Sequence, residues 1–312
     1  MPEQMPYISI VIPVYNEEET LEELYRRLTN ALDLLNKSYE IIFTNDGSKD
    51  RSSQILQEFH QRRPNQIRVI EFSGNFGQHM AIMAGFERIR GEIIVTLDAD
   101  LQNPPEEIVK LIEASEAGHD VVNTYRKNRQ DRWSRRILSK AHNKMRSLLI
   151  PHLQMIDEGC MLRAYRRRIV DLMASTGEVN TFIPALALSY AVNPTEIAVD
   201  HEARFAGQSN YTFYRLIRYN FDLVTNFSLF PLQIFTFLGM FVSFASFIFV
   251  IFLAVRRVIV GGDAEGVFTL FAILFFLLGI VLLGLGIVGE YIGRIYQEVR
   301  KRPRFVIQKI LE

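Results

Sequence analysis

The chain has 312 residues, a formal net charge of zero and one cysteine. Its neutrality argues against nucleic acid as a partner, and its length allows one large domain or two smaller ones. The single cysteine, Cys160, excludes an intrachain disulfide and favours a reducing compartment.

The first 126 residues alternate short apolar runs with amphipathic segments. The runs ISIVIPVY, YEIIFTND, IRVIEF, EIIVTLDA and DVVNTYR predict strands, and the segments 18–35, 52–63, 77–89 and 104–117 predict helices. This alternation predicts an α/β fold, with a Rossmann-like, mostly parallel sheet and helices on both of its faces.

Polar side chains follow four of the predicted strands at their carboxyl ends. They are Tyr15-Asn16-Glu17, Asn45-Asp46-Gly47-Ser48, Asp98-Ala99-Asp100 and Arg126. Sheets of this kind bind ligands at that edge. We therefore expect these side chains to form a site.

Asp98 and Asp100 flank one small residue behind a short apolar run. In an extended chain residues i and i+2 project to the same side, so the two carboxylates repel unless a cation lies between them. Hard divalent ions such as Mg²⁺ or Mn²⁺ take carboxylate oxygens and leave positions for phosphate. Gln102 repeats the spacing and can add a ligand directly or through water. The alternative is a capped turn, but three other polar strand ends favour a metal site.

Asp46 ends another predicted strand, where its carboxylate can accept hydrogen bonds from a nucleobase edge or a ribose. The alternative is an Asx turn with Gly47. Tyr15 offers a ring for stacking and Glu17 an acceptor for a ribose hydroxyl. These two residues also fit the start of a helix with an acidic first turn.

Two stretches in the last third of the chain, 232–255 and 267–288, contain no charged residue. A helix of about 20 apolar residues crosses a bilayer, so both predict transmembrane helices. The alternative is a pair of buried core helices. More basic residues lie before and after these two stretches than in the hairpin between them. This distribution predicts both termini in the cytoplasm. No signal peptide is predicted at the start of the chain.

Two further segments have interfacial character. Residues 132–150 predict a basic amphipathic helix, which either packs on the sheet or lies near anionic headgroups. Residues 211–231 interleave aromatic side chains with Arg215 and Arg218, and this composition predicts a segment at the membrane interface. Glycines at five positions of the second apolar stretch and its exit allow close helix contacts and predict a homo-oligomer. They are Gly279, Gly284, Gly286, Gly289 and Gly293.

The runs VIPVYNEE, NDGSKD, GNFGQHMAIMAGF and TLDADLQNPPEEI, in this order and at this spacing, resemble the family 2 glycosyltransferases with a GT-A fold. With two C-terminal spans the chain is similar, more narrowly, to the polyprenyl-phosphate glycosyltransferases. The runs GCMLRAYRR and GEYIGRIYQEVRKRPR resemble those of family members that transfer 4-deoxy-4-formamido-L-arabinose to undecaprenyl phosphate.

The resemblance implies a transferase of the bacterial inner membrane that moves this sugar from a UDP donor to undecaprenyl phosphate. It implies inversion at the sugar, Mg²⁺ or Mn²⁺ as cofactor and a role in lipid A modification. The expected domains are a cytoplasmic GT-A catalytic domain at 1–210, the interfacial segment at 211–231, a two-span hairpin at 232–290 and a cytoplasmic basic tail at 291–312.

The resemblance also implies roles for single residues. The uridine would be held by Pro13, Tyr15, Glu17 and Asp46, with Asp98 near the ribose or the metal. Asp100 and Gln102 would bind the metal on the diphosphate, while Arg126 and Arg204 would contact phosphates of donor or lipid. Asp157 would position the acceptor or act as a base, or be a structural acid at a turn. Arg163 and Arg166 would face lipid phosphate or be surface charges.

One departure and three alternatives remain open. Many relatives have a lysine where this chain has Asn210, which removes one phosphate-binding charge. The donor can instead be UDP-glucose or a UDP-N-acetylhexosamine. A processive polysaccharide synthase is disfavoured, because QDRW is one residue short of the Q-x-x-R-W motif. A non-enzymatic scaffold that binds nucleotide sugars is the third alternative, and the retained carboxylates argue against it.

Overall fold

The computed structural model describes residues 5–127, 155–157, 159–177, 182–202, 230–260, 267–300 and 302–312. The chain divides into two compact units. The first, here the sheet unit, comprises Met1–Ser147, Pro151–Asn210 and Pro303–Glu312, and the second, the helical unit, comprises Leu148–Ile150 and Tyr211–Arg302. The finer domain bounds expected from the sequence stay predictions.

The sheet unit contains eight strands within the described residues. They are β1 Ile8–Val14, β2 Tyr39–Asn45, β3 Ile67–Phe72, β4 Ile93–Thr96, β5 Val121–Arg126, β6 Arg163–Arg166, β7 Pro194–Val199 and β8 Ile307–Leu311. Their order is β7-β5-β6-β4-β1-β2-β3-β8. The strands β1 to β4 run parallel, and β5 runs parallel to β7. The strand β6 is antiparallel to both β4 and β5, and β8 is antiparallel to β3.

Helices cover both faces of this sheet, which confirms the predicted mostly parallel α/β fold. They are α1 Leu21–Asp33, α2 Ser52–Arg62, α3 Gln78–Phe86, α4 Ile108–Glu116, α5 Arg167–Ser175 and α6 Ile183–Tyr190. Alternate residues of β1 point to opposite faces. Ile10 and Ile12 pack in a core with α1, α2 and α4, whereas Val11 packs in a second core with α3, α5 and α6.

Several elements are shorter than the sequence pattern predicted. The helix α1 begins at Leu21, because Glu17 to Thr20 form a turn in which the amides of Thr20 and Leu21 donate to the carbonyl of Glu17. A 3₁₀ turn at Pro105–Glu107 precedes α4. The strand β4 ends at Thr96, before the two aspartates. The pattern predicted none of the strands β6, β7 and β8.

The helical unit contains α7 Phe230–Val260 and α8 Val267–Val299. Two segments, Phe230–Phe249 and Ile273–Val299, are long and apolar enough to cross a membrane. Only 0% and 6% of their most apolar windows are buried in the structure, unlike the core helices of a soluble protein. The alternative of buried core helices is therefore disfavoured.

One of the predicted small positions lies at a contact between the two helices. A Cβ at Gly284 would lie 1.7 Å from the ring of Phe235, so this glycine permits their close approach. At the other four glycines a Cβ would have nothing within 4 Å. The homo-oligomer stays a prediction.

Several predicted features lie outside the described residues. They are the basic helix at 132–150, the QDRW run at 130–133, Arg204, Asn210 and all of the interfacial segment except its last two residues.

Candidate active site

The carboxyl ends of β1, β2, β4 and β5 meet at one edge of the sheet. The first three strands are parallel neighbours. The strand β5 keeps the same direction because β6, antiparallel to both, lies between it and β4. The polar residues that follow these four strands are therefore brought to the same edge, as the sequence predicted.

The loop after β1 is tied to the loop after β2. Asn16 has φ 55°, a left-handed conformation that asparagine tolerates. Its side-chain oxygen accepts from the amide of Lys49 at 2.8 Å, and its own amide donates to the hydroxyl of Ser48 at 3.0 Å. These bonds present Tyr15 at the edge, where it is 43% exposed.

The other two uridine candidates of this segment are less accessible. Pro13 is buried within β1, opposite Thr44 of β2. The amide of Glu17 donates to the hydroxyl of Ser52 at 3.0 Å, and its carboxylate accepts from the hydroxyl of Thr20 at 3.0 Å. Glu17 thereby closes the first turn before α1.

Asp46 holds the loop between β3 and α3, residues 73–77. One carboxylate oxygen accepts from the amide of Phe76 at 2.7 Å and the other from the amide of Gly77 at 2.9 Å. The side chain is 2% exposed. Burial raises its pKa, and the two amides act in the opposite direction. A contact of Asp46 with a nucleotide stays a prediction.

Gly47 allows this loop to approach. It has φ +70°, and a Cβ on it would lie 2.5 Å from the carbonyl carbon of Gly74. Any larger residue would therefore push residues 73–77 away from Asp46.

Asp98 and Asp100 lie on a turn beyond the end of β4, so the spacing rule for an extended chain does not apply to them. Both are half-buried. Asp98 accepts from the side-chain amide of Gln78, the first residue of α3, at 2.6 Å. Asp100 accepts from the backbone amide of Gln102 at 3.1 Å. Leu101 between them has φ 59°, a rare value for leucine, and its side chain is buried.

The donor set of this turn fits a hard divalent cation. Within the described ranges no group of three His, Cys, Asp or Glu side chains is arranged to hold a metal. Two carboxylates with an amide oxygen nearby suit Mg²⁺ or Mn²⁺, which take further ligands from phosphate and water. Direct coordination by Gln102 stays a prediction.

Arg126, at the end of β5, pairs with Asp157. Its Nε donates to one carboxylate oxygen at 2.6 Å and its Nη2 to the other at 3.0 Å. The Asp157 side chain is 4% exposed and that of Arg126 is 24% exposed. This two-pronged geometry holds the guanidinium plane in one orientation. Asp157 therefore acts on Arg126, and a role as a base stays a prediction.

Arg163 lies beneath this pair and is fully buried. It stands opposite Thr96 in the β4–β6 ladder. Its guanidinium donates to the carbonyls of Cys160 at 2.8 Å and Asp157 at 3.2 Å, and to the side chain of Asn123. The expectation that Arg163 faces lipid phosphate or is a surface charge is wrong. It shapes the turn that carries Asp157.

Arg166 is also engaged within the fold. Its Nη2 donates to the carbonyl of Ser115, at the end of α4, at 2.6 Å. The side chain is half-buried. This bond ties β6 to α4, and a contact with lipid phosphate stays a prediction.

His201, which no sequence pattern singled out, lies near Asp100 and the Arg126–Asp157 pair. The pKa of the ring is lowered, first by desolvation and then by the charge of Arg126, while Asp100 and Asp157 act in the opposite direction. The histidine follows β7, about a hundred positions beyond Asp100. The pairing of β7 with β5 brings the segment after β7 to this edge of the sheet.

The segment that carries His201 is hydrogen-bonded to the segment that carries Asp98 and Asp100. The amide of Glu202 donates to the carbonyl of Gln102 at 2.9 Å. Arg27 of α1 pairs with Glu106 at 2.8 Å and with Glu202 at 3.0 Å. One arginine thus holds residues from two distant loops beside the site.

Gln78 was also missed, although a signal was present. It lies within the run GNFGQHMAIMAGF, to which only a family resemblance, and no role in the site, was assigned. The contact of Gln78 with Asp98 and the contacts of Phe76 and Gly77 with Asp46 give that run a structural role. The run links two carboxylates that follow different strands.

The sequence of this chain is similar to those of known glycosyltransferases. The sequence model of the family described as "Glycosyl transferase family 2" matches residues 9–172. Undecaprenyl-phosphate 4-deoxy-4-formamido-L-arabinose transferase of Edwardsiella ictaluri (strain 93-146) is 47% identical over 307 residues. The alignment covers 98% of this chain and 94% of that protein.

Solved structures show more distant likeness. Glucosyl-3-phosphoglycerate synthase from Mycobacterium tuberculosis, in complex with Mn²⁺, uridine diphosphate and phosphoglyceric acid, is 18% identical with a TM-score of 0.49, covering 70% of this chain and 76% of that one. S. aureus TarS 1–349 in complex with UDP-GlcNAc is 17% identical with a TM-score of 0.47, covering 70% and 65%.

Proposed function

The chain belongs to glycosyl transferase family 2 and is a glycosyltransferase; on this premise we propose that it moves a sugar from a UDP donor to undecaprenyl phosphate. The near full-length relative that is 47% identical bears the name of such a transferase. The sugar proposed first is 4-deoxy-4-formamido-L-arabinose, and it rests on that name alone.

The observation that carries the proposal is the group of charged side chains at the edge of the sheet. Asp98 and Asp100 lie on the turn after β4, and the Arg126–Asp157 pair lies at the end of β5. A carboxylate pair suits a cation, and a fixed guanidinium suits phosphate. Both substrates of the proposed reaction are phosphorylated, so the site needs positive charge close to each.

Asp100 and Gln102 would hold Mg²⁺ or Mn²⁺, with Asp98 close to them. A divalent cation on the diphosphate neutralises charge and stabilises UDP as it leaves. The chain's own contribution is to keep the two carboxylates in place. Gln78 holds Asp98 and the amide of Gln102 holds Asp100.

The acceptor needs no general base. A phosphate monoester has a second pKa near 6, so its oxygen is already ionised at neutral pH. This oxygen attacks the anomeric carbon, a new carbon–oxygen bond forms, and the bond to the UDP oxygen breaks with inversion. Asp157, with both oxygens on Arg126, serves this reaction by orienting a cation for phosphate. Arg204 would supply a second one.

The donor's uridine would lie over the ends of β1 and β2. Tyr15 is exposed there and offers a ring for stacking. Glu17 and Asp46 follow the same two strands, and Pro13 is buried near the end of β1. Asp98 would contact the ribose or the metal.

The two apolar helices would anchor the enzyme in the bacterial inner membrane, with the sheet unit and both termini in the cytoplasm. The lipid acceptor has its phosphate at the membrane surface, where an anchored catalytic unit meets it. The physiological role would be modification of lipid A, and small residues on α8 would support a homo-oligomer.

A direct transfer assay tests the reaction. Purified full-length protein in detergent is mixed with undecaprenyl phosphate, Mg²⁺ or Mn²⁺ and a panel of UDP-sugars, and the lipid product is weighed by mass spectrometry. We expect a mass gain matching 4-deoxy-4-formamido-L-arabinose. A gain from glucose or an N-acetylhexosamine would keep the reaction and replace the sugar. No gain from any donor, in protein that binds UDP, would overturn the reaction and favour a scaffold.

The Asp100→Asn variant tests the metal site. We expect transfer to fall at least about a hundredfold, since an anionic metal ligand is lost at a site where charge stabilisation dominates. Asp171→Asn on the exposed face of α5 is the matched control. Undiminished transfer by Asp100→Asn, or full activity in excess EDTA, would contradict the assignment.

A further inference from the structure

The last strand of the chain, β8, completes the sheet at the β3 edge. It pairs antiparallel with β3, from Val69 opposite Leu311 to Phe72 opposite Ile307. The register shifts between Glu71 and Phe72, where the ladder reaches the carboxyl end of β3. The segment expected to be a basic tail therefore includes a strand of the sheet unit.

Residues just before β8 cover the end of β3. The amide of Ser73 donates to the carbonyl of Val306 at 2.9 Å. The ring of Phe305 stacks on that of Phe72, with centroids 5.0 Å apart and planes 10° apart. Phe72 is 3% exposed, so Phe305 is part of the cover that keeps this ring from water.

Phe72 in turn contacts the loop that Asp46 holds. Its ring meets that of Phe76 edge to face, with centroids 5.6 Å apart and planes 89° apart. Phe76 and the next residue, Gly77, donate their amides to the two oxygens of Asp46. A chain of three rings therefore leads from Phe305 to the loop at the proposed donor site.

This loop depends on outside support. It contains Gly74 and Gly77, and at both positions a Cβ would meet nothing within 4 Å. Glycine adds conformational freedom, so the loop's sequence does not determine its shape by itself. Its apolar anchor is Phe76, which is itself partly exposed.

We propose that Phe305 is a positioning residue of the donor site, which acts through Phe72 and Phe76 to hold loop 73–77 against Asp46. The inference rests on the proposed function, because it assumes that a UDP donor lies at this edge. It assigns a role in donor binding to a residue that follows the second apolar helix in the chain.

Without the ring of Phe305, one face of Phe72 loses its stacked partner and becomes accessible to water. Phe72 can then shift, and the edge-to-face contact with Phe76 weakens. The hydrogen bonds from the amides of Phe76 and Gly77 to Asp46 are then formed for less of the time. The hydrogen bond from Gln78 to Asp98 is weakened as well, because the helix α3 begins at the end of this loop. Donor binding is expected to weaken, while binding of the lipid acceptor is not.

The test compares three variants of the full-length protein in detergent. Phe305→Ala removes the ring and Phe305→Tyr restores a stacking ring. Leu311→Ala is the matched control, because it weakens the same strand at its opposite end, where Leu311 pairs with Val69 and packs on the core away from the loop. The probe is UDP with MnCl₂, measured by titration calorimetry.

We expect Phe305→Ala to weaken UDP binding roughly fivefold, the size of a lost aromatic pair, and to raise the donor KM by the same factor with little change in the acceptor KM. Phe305→Tyr should bind as the wild type does. Leu311→Ala should lower the melting temperature without weakening the binding of UDP. Equal weakening by Phe305→Ala and Leu311→Ala, or none by Phe305→Ala, would overturn the inference.

Hydrogen exchange separates this inference from the proposed function. The amides of Phe76 and Gly77 should exchange faster in Phe305→Ala than in Leu311→Ala or the wild type. If the wild type bound no UDP, the proposed donor would be wrong, yet exchange would still decide whether Phe305 holds the loop. Unchanged exchange at both amides would overturn that role.

Discussion

Two buried carboxylates flank the Asp98–Asp100 turn, and they hold their surroundings in different ways. Asp46, on the β2 side, binds two backbone amides from residues 30 and 31 positions along the chain. Asp157, on the β6 side, binds a side-chain guanidinium. In the Asp46 region, which is Asp46 with loop 73–77, a carboxylate fixes the path of a loop. In the Asp157 region, which is Asp157 with Arg126, a carboxylate fixes the orientation of a charge.

The difference predicts which property each region controls. The backbone amides that bind Asp46 are neutral, so they do not cancel its charge. Their hydrogen bonds to Asp46 determine where the loop lies. The guanidinium of Arg126 is neutralised in part by Asp157, and its orientation depends on that partner. Changes in the Asp46 region should therefore affect donor binding, and changes in the Asp157 region should affect the rate of transfer.

The largest effect is expected beneath the Asp157 region, at Arg163. In Arg163→Met three buried acceptors lose a donor, and we expect the free energy of unfolding to fall by about 3 kcal/mol or more. The melting temperature in detergent measures the loss. Arg168→Met on the exposed face of α5 is the matched control. A melting temperature equal to that of the control would show that the buried guanidinium contributes no net stability.

Asp157→Asn should reduce kcat about a hundredfold, because a misplaced charged group costs that much in a reaction that depends on alignment. Initial rates at saturating donor measure it, and binding of UDP should change far less. A pH profile separates the two roles of Asp157. If the residue orients Arg126, the variant keeps the acidic limb that the acceptor phosphate sets near pH 6; loss of that limb would show that Asp157 is the base.

Asp46→Asn should weaken UDP binding about tenfold, since the amide group can accept from only one of the two loop amides. Titration calorimetry measures it, with kcat at saturating donor as the internal control. A rate defect without a binding defect would reverse the comparison between the two regions.

The same variant has a predicted pH dependence of stability. The pKa of Asp46 is raised by burial, so the stability linked to its protonated form is present below the unfolded value and is lost as pH rises through the raised one. Asparagine does not ionise. The melting temperature of Asp46→Asn relative to the wild type should therefore improve from acidic to neutral pH, and a constant difference would contradict the burial argument.

The smallest effect is expected outside both regions, at Arg26. Its pair with Glu23 has a short distance of 2.6 Å, but the Arg26 side chain is 62% exposed. Surface pairs of this kind contribute little, because water screens them. Arg26→Ala should match the wild type in melting temperature and in transfer rate. A measurable loss in either would show that distance alone predicts the importance of a pair here.

The Asp46 region was more predictable from the sequence than the Asp157 region. The strands β1 to β4 and the helices between them alternate within about a hundred residues, and each strand end carries its polar residues locally. The periodicity of apolar residues therefore predicts both the sheet and the edge where Tyr15, Asp46 and Asp98 meet. The same runs predicted the class of enzyme by their family resemblance, and the family model and the 47% identical relative confirmed it.

The Asp157 region depends on pairing between distant segments. The strand β6 enters antiparallel between β4 and β5, and β7 adds beyond β5. These insertions bury Arg163, place Asp157 on Arg126 and bring His201 beside Asp100. No local pattern distinguishes a buried arginine from an exposed one in a run such as GCMLRAYRRR, so Arg163 was expected at the surface.

Taken by itself, the sequence determined the alternating α/β elements, two apolar helices and a set of polar strand ends, because these depend on short-range periodicity and on residue type. The tertiary structure decided which groups meet: Asp46 with the loop amides, Asp157 with Arg126, and Phe305 with Phe72. Those contacts depend on strand order and register over long distances along the chain. They satisfy buried polar groups and cover apolar rings, and only the folded sheet brings the partners within reach.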